Sequence, residues 1–377
     1  MTTLKKPVQH KSMELHDGLE GVVAASTSLS HVDGDRGRLI LRGYDLEELA
    51  GSYSFEAAAA LFWQGLAEKQ VSESSVRERL GQARVIAWKR AVSMMDTAKT
   101  MAPVEGLRFL LASLVDAEPF PHYLLTTAAM AVFTASVLRA RAGQAPVEPD
   151  PDRPHAEDFL HMLTGGAPFR EHVKALETYL VTVSDHGLNA STFAARVIAS
   201  TQAGTISAVM GGLCALKGPL HGGAPGPVLD TLDEIGTADR AESYLREKVR
   251  AGDRLMGFGH RVYRVRDPRA DVLKNAVVQL REGKNRIRFA EQVEQAALRV
   301  LAEMKPGRRL DTNVEFYTAL LLDAIGLARE SFTPVFAMGR VVGWTAHILE
   351  QEKSGRLIRP QSRYVGPMPE ERRAVAG

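Results

Sequence analysis

The chain has 377 residues, of which 45% are hydrophobic and 24% are charged, and its formal net charge at pH 7 is +2. This composition is typical of a soluble globular protein, long enough for one large core or, as we expect, two unequal lobes. So small a net charge argues against a nucleic-acid partner or a membrane surface. The single cysteine, Cys214, excludes an internal disulfide and is expected to be a packing residue, which favours a reducing, cytoplasmic location.

The first residues form a polar segment of mixed charge without the apolar stretch of a signal peptide, and no 18-residue window is uninterruptedly apolar. After a loose start, residues 18–30 and 38–44 are short β-type runs separated by Asp33-Gly34-Asp35, which predicts a small hairpin. From Asp45 onward the strand patterns nearly vanish, and Asp45 and Ser54 are predicted helix N-caps.

Apolar residues at helical spacing predict a predominantly helical protein. The expected helices cover residues 46–49, 55–63, 71–89, 105–114, 123–141, 155–163, 169–183, 191–209 (interrupted by Gly204), 228–234, 238–251, 268–280, 285–304, 314–325 and 332–352. The segment 123–141 is apolar on most faces and is expected to be buried. The proline-rich residues 143–154 predict an exposed connector, and the rise in polarity after Pro225 indicates a second lobe.

Residues 257–269 place His260 beside Gly257 and Gly259 and among four arginines, at positions 261, 264, 266 and 269. Several guanidinium groups together favour a polyanionic ligand, and the histidine is the nearby group that titrates near neutrality. A solvated basic loop is the alternative interpretation. The two glycines favour the ligand site, because they let the backbone approach a ligand closely.

Two further histidines, His186 and His221, also lie in glycine- or asparagine-rich junctions between predicted helices, where side chains can point into a cleft. The remaining histidines, such as those at positions 122, 161, 172 and 347, are expected to be structural. Together with Glu315 in Asn313-Val-Glu-Phe-Tyr317, and with Arg340 and Arg359, the three junction histidines predict an active site assembled from distant segments.

Other kinds of site fit the sequence less well. Near these histidines there is no His-x-x-x-His or Cys-x-x-Cys spacing, and the arginines would oppose a divalent ion, so no metal is expected. The dinucleotide-binding, P-loop and serine-hydrolase motifs are also missing. What fits is polarisation of a carbonyl by imidazoles, binding of a dicarboxylate by arginines and proton removal by a carboxylate, which suggests enolisation and carbon–carbon bond formation.

The ordered motifs of the chain resemble those of citrate synthase, in the shorter all-helical type of bacteria and archaea. The resemblance covers nearly the whole chain. It is carried by Gly18-Leu-Glu-Gly-Val, Arg38-Leu-Ile-Leu-Arg-Gly-Tyr-Asp45, Asp185-His-Gly-Leu-Asn-Ala-Ser-Thr192, Gly218-Pro-Leu-His-Gly-Gly-Ala224, Gly257-Phe-Gly-His-Arg-Val-Tyr263, Asp267-Pro-Arg269, Asn313-Val-Glu-Phe-Tyr317, Phe336-Ala-Met-Gly-Arg340 and Arg359-Pro360.

The resemblance implies a catalytic role for three residues. His221 would hydrogen-bond the thioester carbonyl of acetyl-CoA and stabilise its enol, Glu315 would remove the methyl proton, and His260 would polarise the ketone of oxaloacetate. The implied oxaloacetate-binding residues are His186, Asn189, Arg269, Arg340 and, from the partner subunit of a homodimer, Arg359. The implied CoA-binding residues are Arg264, Arg266 and Lys217. Acetyl-CoA is then a co-substrate, and no cofactor is expected.

The resemblance also implies an all-α, two-domain fold with a small N-terminal β-hairpin. A large, dimer-forming helical domain would comprise residues 1–224 and 334–377, and a small helical domain, residues 225–333, would close over the active site. The boundary agrees with the rise in polarity after Pro225.

The sequence departs from the family pattern at Glu315, where most members have aspartate, and at Gly187, where many have glutamate. One added methylene moves the carboxylate by roughly 1 Å, and such a shift can cost about a hundredfold in rate unless the backbone compensates. Glu315 is therefore either the native base of a subgroup with a wider pocket, a sign of propionyl-CoA as the substrate, or a mark of an impaired paralogue.

Three functions follow from these alternatives. The first is a citrate synthase at the entry to the tricarboxylic acid cycle, and the second is a 2-methylcitrate synthase. The third is a non-catalytic helical protein that binds a metabolite. Preference between acetyl-CoA and propionyl-CoA, assembly beyond a dimer and allosteric regulation are not determined by the sequence.

Overall fold

The computed structural model describes residues 15–67, 70–222, 225–281 and 284–369. Within these ranges the chain is predominantly helical, which confirms the predicted fold class. The strands are β1 Ser30–Asp33, β2 Arg38–Leu41 and β3 Tyr44–Asp45. The helices are α1 Leu46–Leu49, α2 Phe55–Trp63, α3 Glu73–Ala98, α4 Pro103–Leu111, α5 His122–Arg141, α6 His155–Thr164, α7 Arg170–Thr182, α8 Ala190–Ala199, α9 Thr205–Leu216, α10 Pro225–Ile235, α11 Ala238–Ala251, α12 Pro268–Val278, α13 Lys284–Met304, α14 Val314–Ala324 and α15 Phe332–Ser354.

The three strands form an antiparallel sheet in the order β1-β2-β3, with Ser30 opposite Leu41 and Asp33 opposite Arg38. The predicted hairpin is therefore present, but its first strand was placed too early. Gly18 and Gly21 both have positive φ, which interrupts an extended run, and the strand begins only at Ser30. The expected loose start falls mostly on residues 1–14, which lie outside the described ranges.

The predicted caps at the start of the helical region are confirmed. The Asp45 N–H donates to the Glu48 carboxylate at 2.8 Å, and the Ser54 hydroxyl accepts from the Ala57 N–H at 3.0 Å. These contacts satisfy main-chain donors that have no partner within the first helical turn.

Two predicted helix ends were wrong. The third helix continues to Ala98 because Ala91, Met95 and Ala98 extend its buried stripe. The predicted interruption of the helix 191–209 at Gly204 is confirmed, because two helices meet there, but the second helix does not end before Gly211 and Gly212 and continues to Leu216. At Gly212 a Cβ atom would lie 2.9 Å from the Trp344 indole, so this glycine allows close helix packing.

The core of the larger part of the molecule is built around α5 and α15. Helix α5 packs against α3, α4, α6 and α15, and its residues from Leu124 to Val137 are all buried. Among the described residues, α5 is the one helix whose length and apolar composition would allow it to cross a membrane. In this fold 83% of its most apolar window is buried. The expectation that Cys214 packs in the interior was wrong, because its side chain is exposed on α9.

Helices α10 to α14 pack mainly against one another, with α11 against α13 and α12 against α14. They contact the rest of the chain where α12 and α14 meet α7 and where α12 meets α1. The division into a large domain and a small domain at residues 225–333 stays a prediction, and residues 223–224 at its boundary lie outside the described ranges.

Candidate active site

The loop before α12 is held to the segment before α14 by main-chain hydrogen bonds. The Gly259 N–H donates to the Asp311 carbonyl at 2.7 Å, and the Asn313 N–H donates to the Gly257 carbonyl at 2.9 Å. Both glycines have φ in the left-handed region, and a Cβ on Gly257 would lie 3.0 Å from the Phe316 ring. Glycine is therefore needed where these two segments meet, and the segments carry His260 and Glu315.

The loop fixes the protonation of His260. Its Nδ1 accepts hydrogen bonds from the Val262 and Tyr263 N–H groups, both at 3.0 Å, so the neutral ring carries its proton on Nε2. Burial and the charge of Arg269 lower the pKa of His260 to about 4. Nε2 lies 3.4 Å from Nη2 of Arg269. Two donors thus converge on a space that suits an oxygen atom of a ligand.

His186 lies beside His260 at the turn that follows α7. The centres of the two rings are 5.4 Å apart, and the Nε2 of His186 is 3.1 Å from the Tyr263 hydroxyl. Burial and the nearby charges of Arg269, His260 and Arg340 hold the pKa of His186 well below its usual value. His186 is therefore a neutral hydrogen-bonding group at physiological pH.

His221 lies in the turn between α9 and α10, and its Nε2 is 2.8 Å from the Ser191 hydroxyl oxygen. That oxygen accepts from the Trp344 indole N–H at 3.1 Å, and the Ser191 hydroxyl donates to Oδ1 of Asn189 at 2.8 Å. Burial and the charge of Arg340 lower the pKa of His221 to about 4. The ring is therefore neutral and anchored at Nε2.

Two buried arginines act electrostatically on these histidines: Arg269 lowers the pKa of all three, and Arg340 lowers the pKa of His186 and His221. Arg269 donates to the Asp267 carboxylate from Nε at 3.0 Å and from Nη2 at 2.8 Å. Although burial opposes it, Asp267 raises the pKa of Arg269. Arg340 donates from Nε to the Val183 carbonyl at 2.6 Å, but its buried Nη2 has no partner among the described residues.

Burial lowers the pKa of Arg340 to about 10. Its guanidinium remains charged at neutral pH. Among the described residues no carboxylate forms an ion pair with it, although the charge of the buried Asp185 carboxylate partly offsets the effect of burial. A buried cation without a paired anion is costly, so this position is suited to an anionic ligand.

Glu315 lies in the first turn of α14, where its N–H donates to Asn313 Oδ1 at 3.0 Å. Across the described ranges its carboxylate has no hydrogen-bond partner. Burial raises the pKa of Glu315 to about 7, against the opposing charge of Arg269. A carboxyl group that titrates near neutrality beside neutral imidazoles is well suited to take and return a proton.

The family model described as "Citrate synthase, C-terminal domain" matches residues 18–361 of the chain. A protein named citrate synthase from Mycolicibacterium smegmatis is 36% identical over 370 residues, covering 95% of this chain and 97% of the relative. The chain belongs to the citrate synthase family. It is an enzyme of the acyltransferase class that converts acyl groups into alkyl groups on transfer.

Other members of the citrate synthase family are similarly close. A 2-methylcitrate synthase of Mycobacterium tuberculosis (Erdman) is 34% identical over 383 residues, covering 100% of this chain and 96% of the relative. The crystal structure of Thermoplasma acidophilum citrate synthase, a ternary complex with carboxymethyl coenzyme A and oxaloacetate, has a TM-score of 0.83 at 28% identity. That likeness covers 94% of this chain and 97% of the other. Such similar identities do not separate the two activities.

Of the predicted citrate synthase residues, the structure brings together His186, His221, His260, Arg269, Arg340 and Glu315. Asn189 lies beside them, but its Oδ1 caps α8 by accepting from the Ser191 and Thr192 N–H groups, both at 3.1 Å. Arg359 is exposed on the segment that follows α15, and no contact joins it to the site within this chain.

The three predicted CoA-binding residues differ in whether their charged side chains are already paired within the protein. Arg264 is exposed, whereas Arg266 donates to the carboxylates of Asp271 at 2.6 Å and Glu294 at 2.7 Å. Lys217 forms an ion pair with Glu105. Their contacts with CoA stay a prediction, and of the three side chains only that of Arg264 has no hydrogen-bond or ion-pair partner among the described residues.

Several functional residues were not recognised from the sequence. Ser191, Tyr263 and Asp267 all lie inside motifs that carry the family resemblance, yet their types and spacing alone indicated no role. Trp344 gave no signal, because an apolar residue within a buried helix is normally a core residue. In the part of the chain that the structure describes, no group of three or more His, Cys, Asp or Glu side chains could hold a metal.

Proposed function

We propose that this enzyme condenses acetyl-CoA with oxaloacetate and water to give citrate and CoA, through an enol intermediate, at the entry to the tricarboxylic acid cycle. Two observations carry the proposal. Glu315, with its pKa near 7, lies on the segment joined to the His260 loop, and the buried cation Arg340 has no ion-pair partner among the described residues. A base, two hydrogen-bond donors and an anion site are what this condensation requires.

Glu315 removes a proton from the methyl group of acetyl-CoA. A pKa of about 7 makes its carboxylate a stronger base than an ordinary one, while a substantial fraction remains ionised at neutral pH. The same pKa lets the carboxylic acid return its proton after the reaction.

His221 stabilises the enol that forms when the methyl proton leaves. In the structure the single Ser191 hydroxyl proton is donated to Asn189 Oδ1. In the proposed step the hydroxyl turns this proton to Nε2 of His221, so that the neutral imidazole carries its own proton on Nδ1. That N–H then donates to the thioester oxygen as negative charge develops there. The Trp344 N–H occupies a lone pair of the serine oxygen and orients the hydroxyl.

His260 activates the other reactant. Its Nε2–H, fixed by the two main-chain donors at Nδ1, polarises the ketone of oxaloacetate while the enol carbon attacks the ketone carbon. The new carbon–carbon bond leaves an alkoxide, which takes the Nε2 proton of His260. Water returns a proton to His260 as its oxygen attacks the thioester carbon, and the CoA thiolate leaves and takes the proton held by Glu315, so the products are citrate and CoA.

The carboxylates of oxaloacetate bind Arg269 and Arg340, with His186 and Asn189 completing the pocket. Nη2 of Arg340 gains the partner it lacks, and Nη2 of Arg269 already points toward His260. We further propose that Arg264 binds the CoA phosphates, and that Arg266 and Lys217 lie at the edge of that phosphate site. The enzyme acts in the cytoplasm without a cofactor.

We propose a homodimer in which Arg359 of one subunit completes the site of the other. The segment that carries Arg359 is held by two hydrogen bonds, from the Ile358 N–H to Ser200 Oγ and from Gln351 Nε2 to the Arg356 carbonyl, both at 3.0 Å. These contacts fix the segment while Arg359 itself faces outward.

Mixed dimers test the shared site. Arg359→Ala and His260→Ala proteins, inactive alone, are unfolded together and refolded as a mixture. Half of the dimers then contain one intact site out of two, which restores about a quarter of wild-type activity in a two-fold symmetric dimer. Mixing without any recovery would contradict the shared site.

A second candidate, 2-methylcitrate synthase, is supported by the 34% identical relative of that name. One extra methylene in the acyl group changes binding by only about 1–3 kcal/mol in an apolar pocket. Release of free CoA thiol with oxaloacetate and either acetyl-CoA or propionyl-CoA, compared as kcat/KM, decides between the two. A folded dimer that releases no CoA from either donor would overturn the proposed function.

A further inference from the structure

The N-terminal hairpin formed by β1, β2 and their turn contacts both turns that carry the oxaloacetate histidines. Ser30, the first residue of β1, contacts the His186 turn, and Gly34, just after β1, contacts the His260 loop. The two histidines come from parts of the chain that are 74 positions apart in the sequence, yet their ring centres are 5.4 Å apart.

Ser30 closes the turn that holds His186. Its hydroxyl donates a short hydrogen bond to the Asp185 carboxylate and accepts one from the Gly187 N–H at 3.0 Å. Asp185 is fully buried, and it and Gly187 are the two neighbours of His186 in the chain. The serine hydroxyl therefore fixes the backbone on both sides of this histidine.

Gly34 lies against the backbone of the His260 loop. Its carbonyl accepts from the Arg264 N–H at 2.9 Å, and a Cβ atom on Gly34 would lie only 2.3 Å from the Val262 carbonyl oxygen. The N–H of the same Val262 donates to Nδ1 of His260. Any displacement of Val262 therefore also alters the contact that sets the His260 tautomer.

We propose that Ser30 and Gly34 are positioning residues, and that the hairpin fixes the His186 turn and the His260 loop relative to each other. The hairpin is suited to this because β1 and β2 are paired along the whole length of β1. Neither residue touches the reacting atoms. The expected effect on oxaloacetate rests on the proposed function, whereas the effect on the two turns does not.

Hydrogen exchange of the ligand-free protein, followed by mass spectrometry, tests the link itself. Ser30→Thr and Ser30→Val have nearly the same shape and differ in the hydroxyl, so comparing them isolates the hydrogen bonds even if both lose some stability. Ser30→Val is expected to speed exchange at least threefold in peptides covering 184–190 and also in those covering 257–266. Ser30→Thr is expected to retain most of the wild-type protection.

Gly34→Ala tests the second contact, with Gly166→Ala as its control, because a Cβ on Gly166 meets nothing within 4 Å. His31→Ala is the control within β1, since the His31 side chain is exposed on the other face of the strand. A displacement of roughly 1 Å can cost about a hundredfold in rate, so Gly34→Ala is expected to lower kcat/KM for oxaloacetate at least tenfold. The KM for the acyl-CoA is expected to stay within twofold.

The double variant Ser30→Val/Gly34→Ala shows whether the hairpin links the two turns or whether each contact supports only its own turn. If the hairpin connects the two turns, loss of either contact already frees both, and the double variant loses less than the product of the single losses. Multiplicative losses, or exchange in Ser30→Val that changes only at 184–190, would overturn the proposal. Wild-type protein that releases no CoA would instead overturn the proposed function and leave the exchange result standing.

Discussion

The two sides of the candidate active site are built differently. On one side, Arg340 projects from the middle of the buried helix α15, and the adjoining His186 lies in a turn closed by buried polar contacts. On the other side, His260 and Glu315 lie on a glycine-containing loop and a first helical turn, which are joined by main-chain hydrogen bonds. The first side has a rigid frame with one unpaired charge, and the second side has two reactive groups whose positions depend on each other.

This difference assigns separate tasks to the two sides. A fixed, unpaired guanidinium in a helical core binds an anion without rearranging, so the first side determines where the substrate carboxylate lies. The loop and the first turn of α14 share their hydrogen bonds, so His260 and Glu315 move as a unit when that part of the molecule moves. Substitutions on the first side should therefore affect substrate binding, and substitutions on the second side should affect turnover.

The largest effect is expected from Glu315→Gln. The amide keeps the size of the side chain but cannot remove a proton, so kcat should fall about 10²- to 10⁴-fold, as for the loss of a general base, while the KM for oxaloacetate changes little. Steady-state kinetics measured through CoA release check this. A rise in the oxaloacetate KM with kcat retained would place Glu315 on the binding side instead.

Arg340→Met tests the opposite side of the site. Loss of the guanidinium should raise the KM for oxaloacetate by about a hundredfold or more, as expected for a buried charged contact worth roughly 2–5 kcal/mol. The Tm of the free protein should rise or stay the same, because the substitution removes a buried cation without a paired anion. The thermal stabilisation by oxaloacetate should disappear.

Arg84→Met is the matched control for Arg340→Met. Arg84 is equally buried, but its Nε lies 2.6 Å from the Asp158 carboxylate, so its loss leaves a buried anion unpaired. The free protein should lose about 3–5 kcal/mol of stability while the kinetics of the folded fraction stay unchanged. A similar fall in Tm for both variants, with unchanged KM, would contradict the distinction between the two arginines.

The pH dependence of kcat/KM should report Glu315 alone between pH 5 and 8. Its pKa is raised to about 7, so activity should fall about tenfold for each pH unit below that value. The pKa values of His221 and His260 are lowered to about 4, so both rings stay neutral over this range. This assignment would be contradicted by a fall in kcat/KM near pH 6.5 that is retained in Glu315→Asp and is lost in a histidine variant.

The raised pKa of Glu315 also has a consequence for stability. A group whose pKa is higher in the folded state than in the unfolded state contributes stability below its unfolded value, and this contribution is lost as the pH rises through about 7. The Tm of Glu315→Gln relative to wild type should therefore increase between about pH 4.5 and 7 and level off at higher pH. A constant difference would mean that the carboxylate is charged in the folded protein throughout this range.

The sequence predicted most of the fold because helical periodicity and caps are local signals. The predicted span of α11, Ala238–Ala251, is that of the structure, whereas the end of α9 depends on the contact of Gly212 with Trp344, which is distant in the sequence. The site residues were predictable where rare residue types lie in motifs, as for His260 and Arg340. The anchoring of His221 by Ser191 was not, because a serine at a helix start ordinarily caps the helix.

Charge alone did not distinguish arginines that are free from those that are paired. Arg264 and Arg266 are separated by two positions in one basic stretch, and Arg264 is exposed, whereas Arg266 pairs with Glu294, which is 28 positions away in the sequence. Nothing in the local pattern indicates that partner. The sequence therefore indicates a basic cluster without showing which of its cations remain available to a ligand.

The smallest expected effect comes from the hydrogen bonds that join the loop to α14. Asn313 caps α14 through Oδ1 and donates from Nδ2 to the Gly259 carbonyl at 2.8 Å. Asn313→Ala removes both contacts, and it should cost about 0.5–2 kcal/mol of stability as well as several-fold in kcat. Asn313→Asp retains the cap but not the donor.

If the loop and the first turn form one unit, the two Asn313 variants should lose similar kcat, whereas only Asn313→Ala should lose Tm. The reason is that turnover depends on the bond to Gly259, which both variants lack, and helix stability depends on the cap, which the aspartate keeps. Wild-type kcat in Asn313→Asp would show that the cap alone positions Glu315, and that His260 and Glu315 are held independently.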